Sequence, residues 1–245
     1  MAAPSESTPA IRIQDLRTVQ AVFEASDVLS EVWGGDHSGM PPNLLRALAH
    51  AGNYAVGIYD GTRMVGASVA FFGAPAARSM HSHITGILPA YRGLGIGRMV
   101  KQHQREWALA RDVGRITWTF DPLVARNAHF NLRVLGARVT EYLVDHYGAM
   151  DDGVNRGDAS DRLLVTWALA APPAVTPEAD RVVASVAVPA DIEAIRAQST
   201  QDAADWRVRV REAFLGHLAA GLVVGGFDDA RGYLFVRPPS QGAGA

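Results

Sequence analysis

The chain has 245 residues, 48% of them hydrophobic, with a formal net charge of −2 and no cysteine. That length and apolar content can bury one large domain or one domain with a smaller companion. The near-neutral balance argues against a nucleic-acid or membrane-surface partner, and the missing cysteines exclude disulfides, thiolate metal sites and cysteine nucleophiles.

Residues 1–10, MAAPSESTPA, are polar and proline-bearing, with no apolar stretch behind a basic start; they read as a disordered tail rather than a targeting signal. No apolar run approaches the roughly 18 residues of a membrane helix, so a cytoplasmic location is the expectation. IRIQDL (11–16) is a strand. Val19, Val22, Phe23 and Leu29 recur near a 3.6-residue period and predict a helix over 18–33. NLLRALAHAG follows as a second helix, with Asn43 as N-cap and Gly52 as stop. Residues 54–72 form a hairpin around Asp60-Gly61, and MHSHITGIL (80–88) is a strand closed by Pro89.

After the glycine-rich segment at 93–97, Ile96, Met99, Val100, His103, Trp107 and Ala110 make one helical stripe. VGRITWTF is a strand, ARNAHFNLRVLGA a helix ending near Gly136, RVTEYLVDHYG a strand, AMDDGVNRGDAS a loop and DRLLVTWAL a strand. The order is that of a mixed α/β layer fold. Residues 171–180, rich in proline and alanine, read as a linker. Behind them, residues 181–245 have the order strand, helix, helix, strand, strand. We read them as a half-domain that packs on the main sheet or is covered in a homodimer.

The chemistry concentrates at Ile87–Val100, ILPAYRGLGIGRMV. A strand, a glycine turn and a helix start place unpaired N–H groups where an anion can meet them. Glycine removes the Cβ that would hold a phosphate away. A P-loop would need lysine and serine or threonine after the last glycine, but Arg98-Met99 follow. A dinucleotide fingerprint would need its third glycine one position later than Gly97. Arg92-Gly93-Leu94-Gly95-Ile96-Gly97 instead fits the acyl-CoA loop: Gln or Arg, two residues, Gly, one residue, Gly or Ala.

With this loop, and with the element order from Ile11 to Ala168, the chain resembles the GNAT acyltransferase superfamily. The resemblance implies a mostly antiparallel sheet flanked by helices, with acetyl-CoA or succinyl-CoA as acyl donor and no metal. It also implies that Ile87 and Leu88 offer strand backbone to the pantetheine arm. Amides from about Gly93 to Arg98, including those of Leu94, Gly95, Ile96 and Gly97, would then bind the pyrophosphate, with charge from Arg92 and Arg98 and a further contact at Asn127. The tyrosine that many of these enzymes place four residues before the glycine closing the next helix is Leu132 here.

Proton transfer therefore has several candidates: His83, His129, Asn131 and Asp121, with Tyr142 as a substitute donor. Strict alternation would put His81, His83, Thr85 and Ile87 on one face of their strand. Asp121-Pro122 follow a strand end, where α/β folds place sites. The strings around 118–137 and 153–167 are similar to a branch of predicted acetyltransferases related to amino-acid N-succinylation. That likeness implies a small amine or amino acid as acceptor and assigns Asn155, Ser160 and Arg162 to its binding, Arg162 gripping a carboxylate as a fork. A non-catalytic acyl-CoA-binding module and a protein-modifying acetyltransferase are the alternatives.

Overall fold

The structure, a computed structural model, describes residues 10–34, 40–148, 158–172 and 176–239. It divides into two compact units, residues 1–116 and 117–245. The fold is mixed α/β, and every strand register that is defined is antiparallel.

In the first unit, β1 (Ile11–Asp15), β2 (Tyr54–Asp60), β3 (Arg63–Phe72) and β4 (Ser79–Ile87) pair in sequence order. Helix α1 (Val19–Trp33) starts where the Thr18 side chain accepts the Ala21 amide and ends at Gly34 in the left-handed region. Helix α2 (Pro42–His50) is capped by Pro41, two residues ahead of the expected Asn43 cap. Proline supplies a fixed φ where no N–H is needed. Leu16, Val22, Leu29, Leu45, Ala67 and Val69 form the core under α1 and α2. Gly86 permits this packing: a Cβ there would lie 2.9 Å from a Leu29 methyl and 3.4 Å from Val32.

Helix α3 (Ile96–Leu109) covers the opposite face, with Ile96 and Val100 against Ile58 and Val65. Its buried stripe is Ile96, Val100, Gln104 and Ala108, with Lys101 beside it. The expected stripe through Met99 is rotated away, and Met99 is exposed. The reason is polar. Lys101 Nζ donates to Ser82 Oγ at 3.0 Å and to Gln104 Oε1 at 3.2 Å. Gln104 Nε2 donates to Ser68 Oγ at 3.0 Å and Ser82 Oγ at 3.1 Å, and Ser68 Oγ meets Thr85 Oγ1 at 2.8 Å. Hydrogen bonds make these buried positions affordable, and an apolar periodicity cannot register them.

The same contacts correct the expected alternation of β4. Ser82 and Thr85 both meet the α3-facing network. The register slips by one residue where Val69 pairs with Ile84 and Ala70 with Ser82, leaving His83 extra. That bulge separates His81 and His83, which both approach the Phe71 ring, from the Thr85–Ile87 phase.

The second unit holds the rest of β5 (Arg115–Phe120), the short helix α4 (Ala125–Ala128) continued by a π-helical turn over His129–Val134, β6 (Arg138–Leu143) and β7 (Arg162–Ala168). It also holds a three-stranded sheet ordered β8-β10-β9, from β8 (Val182–Val186), β9 (Val223–Asp228) and β10 (Gly232–Val236). Helices α5 (Ile192–Gln198) and α6 (Thr200–Ala219) lie between β8 and β9 in sequence. Phe214 of α6 stacks with Tyr142 of β6 and with Tyr233 and Phe235 of β10.

Burial lowers the Lys101 ammonium to about 7. Between that value and the ordinary lysine pKa of about 10.4, the unfolded chain holds a proton that the folded chain has released. Stability then rises with pH across this window. Urea unfolding from pH 7 to 10 should show that rise, and Lys101→Met should flatten it.

Candidate functional site

The loop after β4 is built for exposed backbone. Pro89–Tyr91 make a tight turn, and Tyr91 Oη anchors it by donating to Asp60 Oδ2 at 3.0 Å. Gly93 and Gly95 then take φ of +80° and +77°, which only glycine adopts without cost. Gly95 is the N-cap of α3 and offers no side-chain acceptor. Among the described residues, nothing accepts from the amides of Gly93, Leu94, Gly95, Ile96 and Gly97. A Cβ at Gly93, Gly95 or Gly97 would meet no atom within 4 Å, so the space above the loop is open.

Two donors expected here are spent elsewhere. The Arg98 amide bonds the Gly95 carbonyl at 3.0 Å, closing the first helical turn, so Arg98 brings only its exposed guanidinium. The Leu88 amide bonds the Val65 carbonyl at 2.9 Å. Because antiparallel amides alternate in direction, that bond turns the Ile87 N–H away from β3. The Ile87 carbonyl accepts from Arg92 Nε at 3.4 Å. The Ile87 N–H thus points away from β3, while the Leu88 N–H is taken by it.

The proton-transfer candidates separate clearly. His83 is exposed on the β4 bulge, and partial desolvation lowers its pKa below the usual imidazole value. His129 Nδ1 is 2.8 Å from Asp229 Oδ1, and Arg133 joins the same carboxylate at 3.4 Å. Asn131 is buried, its Oδ1 accepting from Trp118 Nε1 at 3.2 Å. Asp121 is buried and held by both arms of Arg207, at 2.6 and 2.8 Å, and by the Leu123 amide at 2.9 Å. Burial alone would raise its carboxyl; the Arg207 hydrogen bonds outweigh this and hold it below the ordinary value. Asp121 is thus a structural ion-pair partner rather than a base. Tyr142 Oη donates to Asp161 Oδ2 at 2.6 Å; burial, then that bond, raises its pKa far above usefulness as a proton source.

The expected acceptor-binding residues are also engaged. Ser160 is buried, receiving the Tyr147 amide at 2.9 Å and donating to Asp145 Oδ1 at 3.1 Å. Arg162 is buried, donates to the Asp161 carbonyl at 2.8 Å and lies over the Tyr147 ring at 5.3 Å. Asn127 sits half-buried in α4, and Asn155 lies outside the described residues. What the sequence did not signal is the acid–base network that locks this unit. Arg207 also grips Asp158 at 2.7 Å, Arg196 reaches Asp158 at 2.9 Å, and Arg211 clamps Asp161 at 2.8 and 2.6 Å. The i, i+4 spacing of Arg207 and Arg211 was visible, but partners far along the chain were not.

Among the described residues, no group of three or more His, Asp or Glu could hold a metal, and no helix is long and apolar enough to cross a membrane.

Residues 22–137 match the family model described as the acetyltransferase (GNAT) family. The chain carries the GNAT fold. Solved structures agree at that level. The ribosomal-protein-S18-alanine N-acetyltransferase of Escherichia coli superposes with a TM-score of 0.54 at 12% identity, over 66% of this chain and 96% of that one. An N-acetyltransferase from Staphylococcus aureus Mu50 gives 0.53 at 11% identity, over 65% and 98%. An aminoglycoside 6'-N-acetyltransferase complexed with coenzyme A gives 0.50 at 15% identity, over 66% and 98%. No curated protein matches this chain. The family model covers just under half of the chain, and the solved structures agree with it at the level of the fold.

Removing Arg207 takes the main cation from two buried carboxylates, Asp121 and Asp158, and leaves them sharing Arg196. Arg207→Met should cost about 3–5 kcal/mol in urea unfolding at pH 7. Because the folded Asp121 pKa is depressed, its contribution is present above the ordinary aspartate value of about 3.9 and lost as pH falls through the folded value. Asp121→Asn should remove that acid limb.

Proposed function

We propose that the protein is an acyl-CoA-dependent N-acyltransferase that moves an acetyl or succinyl group to a small amine, an amino acid in our reading, by direct transfer in a ternary complex. The observation that carries this is the run of five amides, Gly93 to Gly97, with no acceptor among the described residues. Such amides at a helix start suit a diphosphate, and the coenzyme A bound by one structural relative is a ligand of that chemistry. We take residues 11–170 as the transferase region and 181–245 as an appended half-domain.

The chemistry asks little of the protein beyond placement. In our reading His83 takes the ammonium proton of the acceptor; its lowered pKa keeps the ring neutral and receptive at neutral pH. The amine attacks the thioester carbon, and the Ile87 N–H stabilises the developing oxyanion. The C–S bond breaks as the amide forms, and water relays the nitrogen's second proton to the departing thiolate, since Leu132 stands where a tyrosine would serve. With no cysteine in the chain and no serine in an elbow-like motif, we assign no covalent acyl-enzyme.

One observation favours a second reading. Tyr142 is bonded to Asp161 and Leu132 is apolar, so neither can protonate the thiolate, as a non-catalytic acyl-CoA-binding module would allow.

Thiol release from acetyl-CoA or succinyl-CoA, measured against a panel of amino acids and simple amines, separates the two: turnover with any of them supports the enzyme, and tight binding without turnover supports the module. Within the enzyme, His83→Ala should lower kcat by about 10²–10⁴-fold, erase the acidic limb of the pH profile and leave acyl-CoA binding intact. Gly95→Val should weaken acyl-CoA binding about tenfold or more, since a left-handed β-branched residue costs about 1–2 kcal/mol and each 1.4 kcal/mol is tenfold.

A further inference from the structure

A cavity of about 310 Å³ lies in the second unit, between the start of β6, the segment leading into β8, and the outer ends of β9 and β10. Its size is at the lower end of small-molecule sites, about 300–1,000 Å³. Its make-up is uneven. The wall includes Leu132 and Val236, both buried, and half-buried Val224. The rim carries three exposed arginines, Arg138, Arg181 and Arg237, and no carboxylate lines the cavity. Among the described residues, none of the three guanidiniums has a hydrogen-bond or ion-pair partner.

Elsewhere in the unit Arg126, Arg133, Arg196, Arg207 and Arg211 meet carboxylates, while exposed Arg209 and Arg231 stand apart from this rim without one. Like charges gathered on one rim repel, and an anion seated among them would reverse that cost. The backbone keeps the cavity open and shaped. Pro177 closes one side by packing on Gly225 and Gly226, where a Cβ would come within 3.3 and 3.1 Å of its ring. Gly225 would also crowd the Val236 methyls at 2.9 and 3.0 Å. A larger residue at either glycine would displace that wall.

We propose that this cavity binds a small organic anion: an apolar or aromatic body resting on Leu132, Val224 and Val236, with phosphate or carboxylate groups held by Arg138, Arg181 and Arg237. Guanidinium forks suit both kinds of oxyanion. The cavity's lining shares no residue with the glycine loop, and the inference does not rest on the acyltransferase reading.

Calorimetric titration of the full chain tests it, with phenyl phosphate, phthalate and inorganic phosphate as probes. Phenyl phosphate or phthalate should bind with one site per chain and at least about tenfold more tightly than inorganic phosphate, which lacks a body for the apolar wall; the two aromatic probes distinguish a phosphate from a carboxylate ligand. Arg181→Ala with Arg237→Ala should weaken that binding by about tenfold or more. Val224→Glu should abolish it, and Gly95→Val should leave it unchanged. Equal affinity for inorganic phosphate, indifference to the arginine substitutions, or loss of binding in Gly95→Val would each overturn the proposal.

Discussion

A helix cannot satisfy its own leading amides, and at residues 93–97 nothing else among the described residues satisfies them either. Two glycines in the left-handed region hold this arrangement, and Tyr91 pins the turn before them to β2. A buried donor so placed would be costly; an open one at the positive end of a helix is a place for anionic oxygen. The packing of the first unit serves this geometry. Gly86 lets α1 sit close beneath β4, and Ile96 and Val100 seat α3 on the other face, so the loop is suspended between two well-packed elements.

The second unit is organised by charge as much as by apolar contact. Asp121, Asp158 and Asp161 are buried, and arginines from α5 and α6 neutralise them. Each carboxylate alone would be untenable in that setting. The consequence for chemistry is that residues attractive as acids or bases are already committed. The aromatic cluster around Phe214, and the Tyr233 hydroxyl donating to the Pro122 carbonyl at 2.8 Å, tie the strands on either side of the 171–180 segment into one core.

The elements were legible in the sequence because their signals are local. The period of α1, the Asp60-Gly61 turn and the glycine run each need only a few neighbouring residues, and the glycine loop stood out for that reason. The site chemistry was less legible. His83 and Asp121 look equally suitable in a string, and only their surroundings separate them: one lies on an exposed bulge, the other between the arms of an arginine 86 positions away. The bulge itself comes from the pairing of β3 with β4, which alternation within one strand cannot reveal. The buried face of α3 was misread for a similar reason. Gln104 and Lys101 occupy core positions because hydroxyls from two strands meet them.

Lys101 is the sole lysine among 23 basic residues, and it is 8% exposed. An acyltransferase of the kind proposed would be bathed in reactive thioesters, which acylate accessible amines without any catalyst. Here the side-chain target for that damage is withdrawn from solvent, while the surface charge is carried by guanidiniums, which such esters do not readily modify. The burial that seats α3 thus also leaves the folded chain with almost no side-chain amine to lose.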